Sequence, residues 1–128
     1  MPQDSAVSIV YGEAPISMSL TVRGPRTPAI AGEPVESVHV WHDDGRGRTG
    51  VWECTPGSFE SARNGDTEVM HFIAGAGTIT SDDGTVYEIR PGAVIVAPDG
   101  WKGVWDIRET ARKVYTIWKA VTDGGGDA

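Results

Sequence analysis

The chain has 128 residues, enough for one domain, and its 17 glycines and 8 prolines lie mostly between short apolar runs. Frequent turns between short strands explain that distribution better than disorder does. The formal net charge of −7 argues against a nucleic-acid partner, because phosphate binding needs clustered lysine and arginine.

The amino-terminal arm, residues 1–34, is the least regular part of the chain. Two of its segments, 8–11 and 16–22, have the composition of strands, and the second alternates apolar and polar residues. The segments between and after them contain too much proline and glycine for a helix. We therefore expect an arm with one or two strands that lies across the sheet or across a partner subunit.

A series of short strands follows the arm, because no window shows a sustained helical period. The predicted strands cover residues 35–42, 51–54, 68–74, 78–80, 85–89, 93–97, 101–107 and 113–120. The polar residues 58–67 are interpreted as a connection and residues 121–128 as a disordered tail. Strands at a spacing of roughly 10 residues predict an antiparallel sandwich or barrel over residues 35–120.

Two sequence motifs lie in the second half of the chain. Glu68 precedes Gly75 by seven residues, and Gly92 is followed by Pro98 and Gly100. This spacing resembles the two motifs of the cupin superfamily. The branch typified by (S)-ureidoglycine aminohydrolase and the ethanolamine-utilisation cupin is similar in three further segments, residues 50–57, 100–105 and 112–115. The resemblance covers residues 50–120 and implies an all-β, single-domain cupin jelly roll, that is, an antiparallel β-sandwich or barrel.

The resemblance also implies a metal site, but most of its ligands are missing. A histidine pair should precede Glu68, where this chain has none, and Gly103 stands where a third histidine should be. His71 is three residues from Glu68, so the two side chains point to opposite faces of a strand. His39 and His42 are also three apart, so at most one of them could join Glu68. We therefore expect no bound metal and no other cofactor.

The side chains that face the interior follow from the resemblance and from strand alternation. If Glu68 points inward as its cupin counterpart does, Met70 and Phe72 share its face. If position 103 points inward, Trp101 and Trp105 do so as well. Gly103 would then leave a space between two indoles.

The last strand should complete this cavity. Lys113 and Tyr115 are expected to face it, since they belong to segment 112–115, which is similar to a segment of that cupin branch. Glu53 is expected to join them by analogy. An aromatic wall with a few convergent polar groups is typical of a small-molecule site. Glu68 would act as a general acid or base, with Tyr115 as proton donor and Lys113 as electrostatic partner. The alternative is that Glu68 and Lys113 are only a buried ion pair and the tryptophans only fill the barrel.

Two other features are given structural interpretations. The basic loop at Arg46 and Arg48 is interpreted as solvated, since no helix follows it to help bind phosphate. The single cysteine, Cys54, is interpreted as a small buried thiol, and it fits a reducing compartment.

Three hypotheses for function remain open at this stage. The first is a metal-independent enzyme, a hydrolase or an isomerase or lyase, in which Glu68 acts on a small polar metabolite. The second is a non-catalytic ligand-binding or sensory cupin that uses the same pocket. The third is a metal-dependent cupin like the aminohydrolase, in which Glu68 and one histidine are recruited unconventionally.

The sequence and the cupin resemblance also predict the binding partners and the cellular location of the protein. The amino terminus lacks the pattern of a signal peptide, and no run approaches the ~20 apolar residues of a membrane span. We therefore expect a cytoplasmic protein with a small-molecule ligand, without a membrane or nucleic-acid partner. The resemblance and the length of the arm further imply a homodimer.

Overall fold

The structure, a computed structural model, describes residues 7–121, which contain nine strands and no helix. The strands are β1 (Thr21–Pro25), β2 (Ala29–Gly32), β3 (Val35–Asp43), β4 (Gly47–Cys54), β5 (Gly57–Ala62), β6 (Asp66–Ser81), β7 (Val86–Ile89), β8 (Val94–Ala97) and β9 (Lys102–Lys119). No helix in the described range is long and apolar enough to cross a membrane. Apart from Val121, the predicted tail lies outside the described residues.

The long strands β6 and β9 organise the sheet and pair antiparallel with each other. The first half of β6 and the second half of β9 belong to a six-strand part, in the order β1-β3-β4-β9-β6-β8. Their other halves belong to a five-strand part, in the order β2-β5-β9-β6-β7. The predicted all-β, antiparallel architecture is confirmed.

The register between β6 and β9 shifts between Phe72 and Gly77, where β6 passes from one part of the sheet to the other. Gly75 lies inside this irregularity with a φ of 106°. A Cβ atom at Gly75 would lie 2.5 Å from the Cα of Ala111. The close approach and the positive φ together require glycine at this position.

The buried side chains of the two parts form one core. The ring of Trp105, from the five-strand part, lies 5.4 Å from that of Trp52 and 5.9 Å from that of Phe72, both in the six-strand part, centroid to centroid. Phe59 stacks on Trp105 from β5 at 5.7 Å. Because these rings bury large apolar areas, their contacts hold the two parts of the sheet together.

Several predicted strand boundaries were wrong. Segments 68–74 and 78–80 are one strand, because the glycines between them make bulges instead of ending it. Segments 101–107 and 113–120 are likewise one strand, since β6 pairs along both. The predicted connection contains β5, whose one buried large side chain, Phe59, is too weak a periodic signal.

The arm contributes β1 and β2, which pair with β3 and β5. Of the two segments predicted as strands, 16–22 overlaps β1 only at its end and 8–11 contains no strand.

Candidate functional site

A cavity of about 170 Å³ lies among inward-facing side chains of the core, and Glu68, Lys113, Tyr115 and Trp105 all line it. These residues come from β6 and β9, the strands shared by both parts of the sheet. Alternation along each strand sends them inward: Glu68 is buried while its neighbour Val69 is less so. The structure thus brings together the three residues that the sequence nominated for catalysis.

The Glu68 carboxylate lies between two cations. The Nζ atom of Lys113 is 2.7 Å from Oε2, and the Nη1 atom of Arg63 is 3.4 Å from Oε1. A buried carboxylate is costly unless it is paired, and these two partners offset that cost. Glu68 is therefore the centre of an ionic cluster in which Lys113 is buried, while Arg63 is partly exposed and also pairs with Asp66 at 3.5 Å.

The Lys113 ammonium is enclosed by aromatic faces as well as by Glu68. Its Nζ atom lies 4.2 Å from the ring centroid of Trp52 and 4.7 Å from that of Trp105, within the range of cation–π attraction. Burial lowers the pKa of Lys113 below its ordinary value, and the charge and hydrogen bond of Glu68 oppose that shift.

Positive charge predominates in the cavity wall. Two carboxylates, Glu36 and Glu68, face five cationic side chains, namely Arg23, Arg26, Arg48, Arg63 and Lys113. The excess of three positive charges is opposite in sign to the net charge of −7 on the whole chain. Low-dielectric walls with charges of one sign concentrate ions of the other sign, so this cavity favours anions.

One carboxylate oxygen of Glu36, Oε2, already has two side-chain partners in the protein. It accepts a hydrogen bond from the Trp52 indole at 2.9 Å and pairs with Arg26 at 3.1 Å. Arg26 also lies over the Phe59 ring, 4.4 Å from its centroid. These contacts leave Glu36 and Arg26 as a structural pair at one edge of the cavity.

Arg23 and Arg48 differ from the other cations of the wall. Within residues 7–121, no carboxylate oxygen lies within 4.0 Å of either guanidinium. Burial raises the pKa of the Tyr115 phenol above its ordinary value, while Arg48 opposes the shift by charge and hydrogen bonding. Tyr115 is therefore protonated at neutral pH and can donate a hydrogen bond.

Met70 and Phe72 share the inward face with Glu68, as strand alternation predicts. Both are buried in the apolar core and neither lines the cavity. Of the aromatic residues nominated for binding, only Trp105 is part of the wall.

The expected space beside Gly103 is filled. A Cβ atom at Gly103 would run into the carbonyl oxygen of Thr80 and the indole of Trp101. The Trp101 indole is held there by donating a hydrogen bond to Ser81 Oγ at 2.8 Å. The prediction that Gly103 and Trp101 shape this cavity was wrong, because the indole packs over the glycine.

The expected orientation of Glu53 was also wrong. Its neighbour Trp52 faces the cavity, so strand alternation sends Glu53 to the opposite face of the sheet. There it forms an ion pair with Arg112 at 2.8 Å.

The residues around Glu68 do not form a donor set for a divalent metal. His39, His42 and His71 are exposed and lie outside the cavity wall. In the part of the chain that the structure describes, no three His, Cys, Asp or Glu side chains are grouped to hold a metal ion. A catalytic transition metal normally needs about three protein ligands, and Glu68 already lies between two protein cations.

Residues 42–115, more than half of the chain, match the profile of the EutQ-like cupin domain. The chain belongs to the EutQ-like cupin family. The resemblance inferred from its motif spacing is thereby confirmed, and so is the all-β cupin fold.

Solved structures similar to this cupin have several functions. EutQ from Clostridium difficile is 23% identical, with a TM-score of 0.59 over 68% of this chain and 64% of that one. A protein of unknown function from Pseudomonas syringae pv. tomato str. DC3000 is 23% identical, with a TM-score of 0.72 over 81% of this chain and 46% of that one. Ectoine synthase from P. lautus is 19% identical, with a TM-score of 0.61 over 68% of this chain and 66% of that one.

This cupin therefore matches less than two thirds of the EutQ and P. syringae chains. At these identities the likeness shows the fold alone. No curated protein matches the chain significantly.

The cationic residues of the wall were missed at the sequence level. Arg48 was interpreted as solvated together with Arg46, but only Arg46 is exposed. Arg48 lies in β4 with the same parity as Trp52, so alternation along that strand could have placed both in the cavity. Arg23 and Arg26 lie in or beside β1, where no sequence signal connects them with Glu68.

Proposed function

We propose that this cupin binds a small organic anion, a carboxylate-bearing metabolite, in the cavity beside Glu68. The observation that carries the proposal is the excess of three positive charges in the wall of an otherwise acidic protein. Opposite charge raises the local concentration of an anion and favours a dianion over a monoanion of similar size.

Two of the cations are available to the ligand. Arg23 and Arg48 lack a carboxylate partner among the described residues, and a guanidinium can bind a carboxylate through two parallel hydrogen bonds. Tyr115 adds a neutral donor, since its pKa is raised by burial. The indoles of Trp52 and Trp105 supply the apolar wall.

The contacts of Glu68 support ligand binding over acid–base catalysis. Both carboxylate oxygens face cations of the protein, Oε2 at 2.7 Å from Lys113 and Oε1 at 3.4 Å from Arg63. A general base has to direct a lone pair at the substrate proton, whereas this carboxylate is directed at these two cations. In the proposed function Glu68 holds Lys113 and Arg63 in place, and no metal takes part.

The proposal extends to the cellular location of the protein, which we expect to be the cytoplasm. A small metabolite ligand and a single, buried cysteine suit the reducing cytoplasm. Cell fractionation with an antibody against the chain would test this, and recovery in an oxidising compartment would contradict it.

The test uses isothermal titration and tryptophan fluorescence with short mono- and dicarboxylates and their uncharged primary amides. We expect the acids to bind, the dicarboxylates most tightly, and the amides to bind at least about tenfold more weakly, because hydrogen bonds to charged groups contribute ~1.5–3 kcal/mol. Fluorescence should respond because Trp52 and Trp105 line the cavity.

Variants then locate the site. Arg48→Gln and Arg23→Gln should each weaken acid binding about tenfold or more. Each variant loses a hydrogen bond between charged groups, which contributes ~1.5–3 kcal/mol. Arg108→Gln, an exposed arginine of β9 outside the cavity, is the matched control and should bind like the wild type. Equal affinity for acids and amides, or an equal loss in the Arg108 variant, would overturn the proposal.

A further inference from the structure

Lys113 is the one amine side chain in the cavity wall, among the residues that the structure describes. The chain has three lysines, and while Lys113 is 4% exposed, the other two, Lys102 and Lys119, lie in solvent at the two ends of β9. The remaining cations of the wall are arginines, whose guanidinium groups stay protonated in proteins. Lys113 is therefore the cation of this site that can become a nucleophile.

The contacts of Lys113 provide a route for its proton. Oε2 of Glu68 lies 2.7 Å from Nζ, so a proton acceptor is already within hydrogen-bond distance. The indoles of Trp52 and Trp105 cover Nζ on two other sides and keep water from it. Burial lowers the pKa of Lys113, and a desolvated lysine with a lowered pKa attacks carbonyl carbon.

The strand register places a carboxylate-binding group in line with Lys113. On β4, Arg48 pairs with Ile117 of β9, and Trp52 pairs with Lys113. Alternate residues of β9 point inward, so Tyr115 lies between Ile117 and Lys113 on the cavity side. A ligand whose carboxylate is bound by Arg48 therefore extends along Tyr115 toward Lys113.

We infer that Lys113 forms an imine with the carbonyl group of a short oxo carboxylate, that is, a carboxylate that also bears an aldehyde or a ketone. This assignment rests on the proposed anion site and narrows its ligands to one chemical class. Arg48 binds the carboxylate, and the carbonyl carbon is thereby held beside Nζ of Lys113. Binding at one end of the ligand makes the reaction at the other end effectively intramolecular.

The reaction needs no reagent besides the ligand. The Lys113 ammonium gives a proton to Glu68, and the lone pair of Nζ forms a bond to the carbonyl carbon while the C=O π electrons move to oxygen. That oxygen takes a proton from the attacking nitrogen, which gives a carbinolamine. The hydroxyl group then leaves as water with the proton held by Glu68, and the nitrogen lone pair forms the C=N bond. The products are an iminium cation and one water molecule.

The product keeps the charge balance of the buried site. The iminium nitrogen carries the same single positive charge as the ammonium it replaces, and Glu68 is again a carboxylate. The faces of Trp52 and Trp105 attract the new cation as they attract the ammonium. Because no buried charge is left without a partner, the covalent step does not incur the cost of breaking the ion pair.

The experiment traps the imine by reduction with cyanoborohydride and locates it by peptide mass spectrometry of the full chain. The probes are pyruvate and 4-oxobutanoate, which differ in the distance between carboxylate and carbonyl. With at least one of them Lys113 should gain the mass of the acid less one oxygen atom, since imine formation loses water and reduction adds two hydrogens. The exposed Lys102 and Lys119 are internal controls and should be modified at least about tenfold less, because neither lies beside the carboxylate site.

Neutral carbonyl compounds and variants test the role of the carboxylate. Pyruvamide and butanal carry the same carbonyl groups without the charge and should modify Lys113 at least about tenfold less. Arg48→Gln should reduce modification by the acids to the same degree, whereas Arg108→Gln, an exposed change outside the cavity, should react like the wild type. Lys113→Arg should abolish the buried adduct and Lys119→Arg should leave it, with far-ultraviolet circular dichroism as the check that each variant keeps its sheet.

Two results would overturn the inference, and they differ in what they imply for the anion site. If the acids bind more tightly than their amides in the titrations but modify Lys113 no faster than Lys102 and Lys119, the imine is refuted and the anion site stands. If the acids and the neutral carbonyl compounds modify Lys113 equally, both are refuted, because the arginines then select nothing.

Discussion

The Nζ atom of Lys113 lies 2.7 Å from Oε2 of Glu68, and both side chains are almost completely buried. Glu68 occupies the motif position of a cupin metal ligand, yet side-chain cations of the protein balance its charge. The second of them, Arg63, lies in the segment where the cupin motif has its histidines. Two cationic side chains of the protein thus lie beside the motif glutamate in a chain that lacks the histidines of the motif.

The first prediction concerns the stability of this cluster. Glu68→Gln should lower the free energy of unfolding by about 3–5 kcal/mol, because it leaves the buried Lys113 ammonium without a carboxylate. The partly exposed Arg63 keeps its second partner, Asp66, at 3.5 Å. Lys113→Met should cost less, since Arg63 still faces Glu68. Urea denaturation measures both, and Arg46→Gln, which removes only an exposed pair with Asp44, should cause no measurable change. Equal losses in the two cluster variants would contradict the arrangement.

The second prediction concerns alkaline pH. Burial raises the pKa of the Cys54 thiol from its ordinary value of 9.0 to about 12. Below pH 9 the thiol is protonated in both the folded and the unfolded chain, so it does not change the free energy of unfolding. Above it the unfolded chain releases the proton and the folded chain keeps it, so the free energy of unfolding falls by about 1.4 kcal/mol per pH unit.

Comparison with Cys54→Ala isolates this contribution, because the other titrating groups cancel. Between pH 8 and pH 10.5 the wild type should lose about 2 kcal/mol more than the variant. Denaturant titrations at each pH provide the measurement. Parallel pH profiles would show that the thiol is not buried in the folded state.

The third prediction concerns metal. Protein purified without added metal should contain only substoichiometric Mn, Fe, Zn and Ni by elemental analysis. The melting temperature should not rise when these ions are added, because a ligand that binds only the folded state would raise it. Stoichiometric metal together with a raised melting temperature would disprove the cation-balanced site.

The fourth prediction concerns Gly103. Gly→Ala in a strand ordinarily stabilises a protein, because the unfolded glycine has more freedom to lose. Here the new methyl group meets the Thr80 carbonyl oxygen and the Trp101 indole, so Gly103→Ala should cost about 1–3 kcal/mol. Thermal or urea unfolding measures whether the variant is less or more stable than the wild type. A gain in stability would mean that the space beside Gly103 is open.

The fifth prediction concerns the arm. Arg112→Gln removes the guanidinium that holds the carbonyl oxygens of Pro15 and Met18. The amides of Ser17 and Met18, which bond to the Ala14 carbonyl oxygen, should then exchange hydrogen faster in mass spectrometry. Arg108→Gln, an exposed change on the same strand, is the control. Unchanged exchange in the Arg112 variant would mean that other contacts hold the arm.

The sequence by itself determined the fold and the first members of the site. Motif spacing indicated the cupin jelly roll, and alternation placed Lys113 and Tyr115 on one face of their strand. The resemblance to cupins then assigned the inward direction to that face and to Glu68. These signals are local, since a side chain's face depends only on its position along its own strand.

Only the tertiary structure decided what surrounds Glu68. Arg23, Arg48 and Arg63 come from three separate regions of the chain, and their convergence depends on strand pairings that no short pattern encodes. The same holds for the Trp101 indole that fills the space beside Gly103 and for Arg112, which pairs with Glu53 on the outer face. The net charge of a cavity wall is a sum over residues distant in sequence, so the excess of positive charge here could be counted only once the strands were placed side by side.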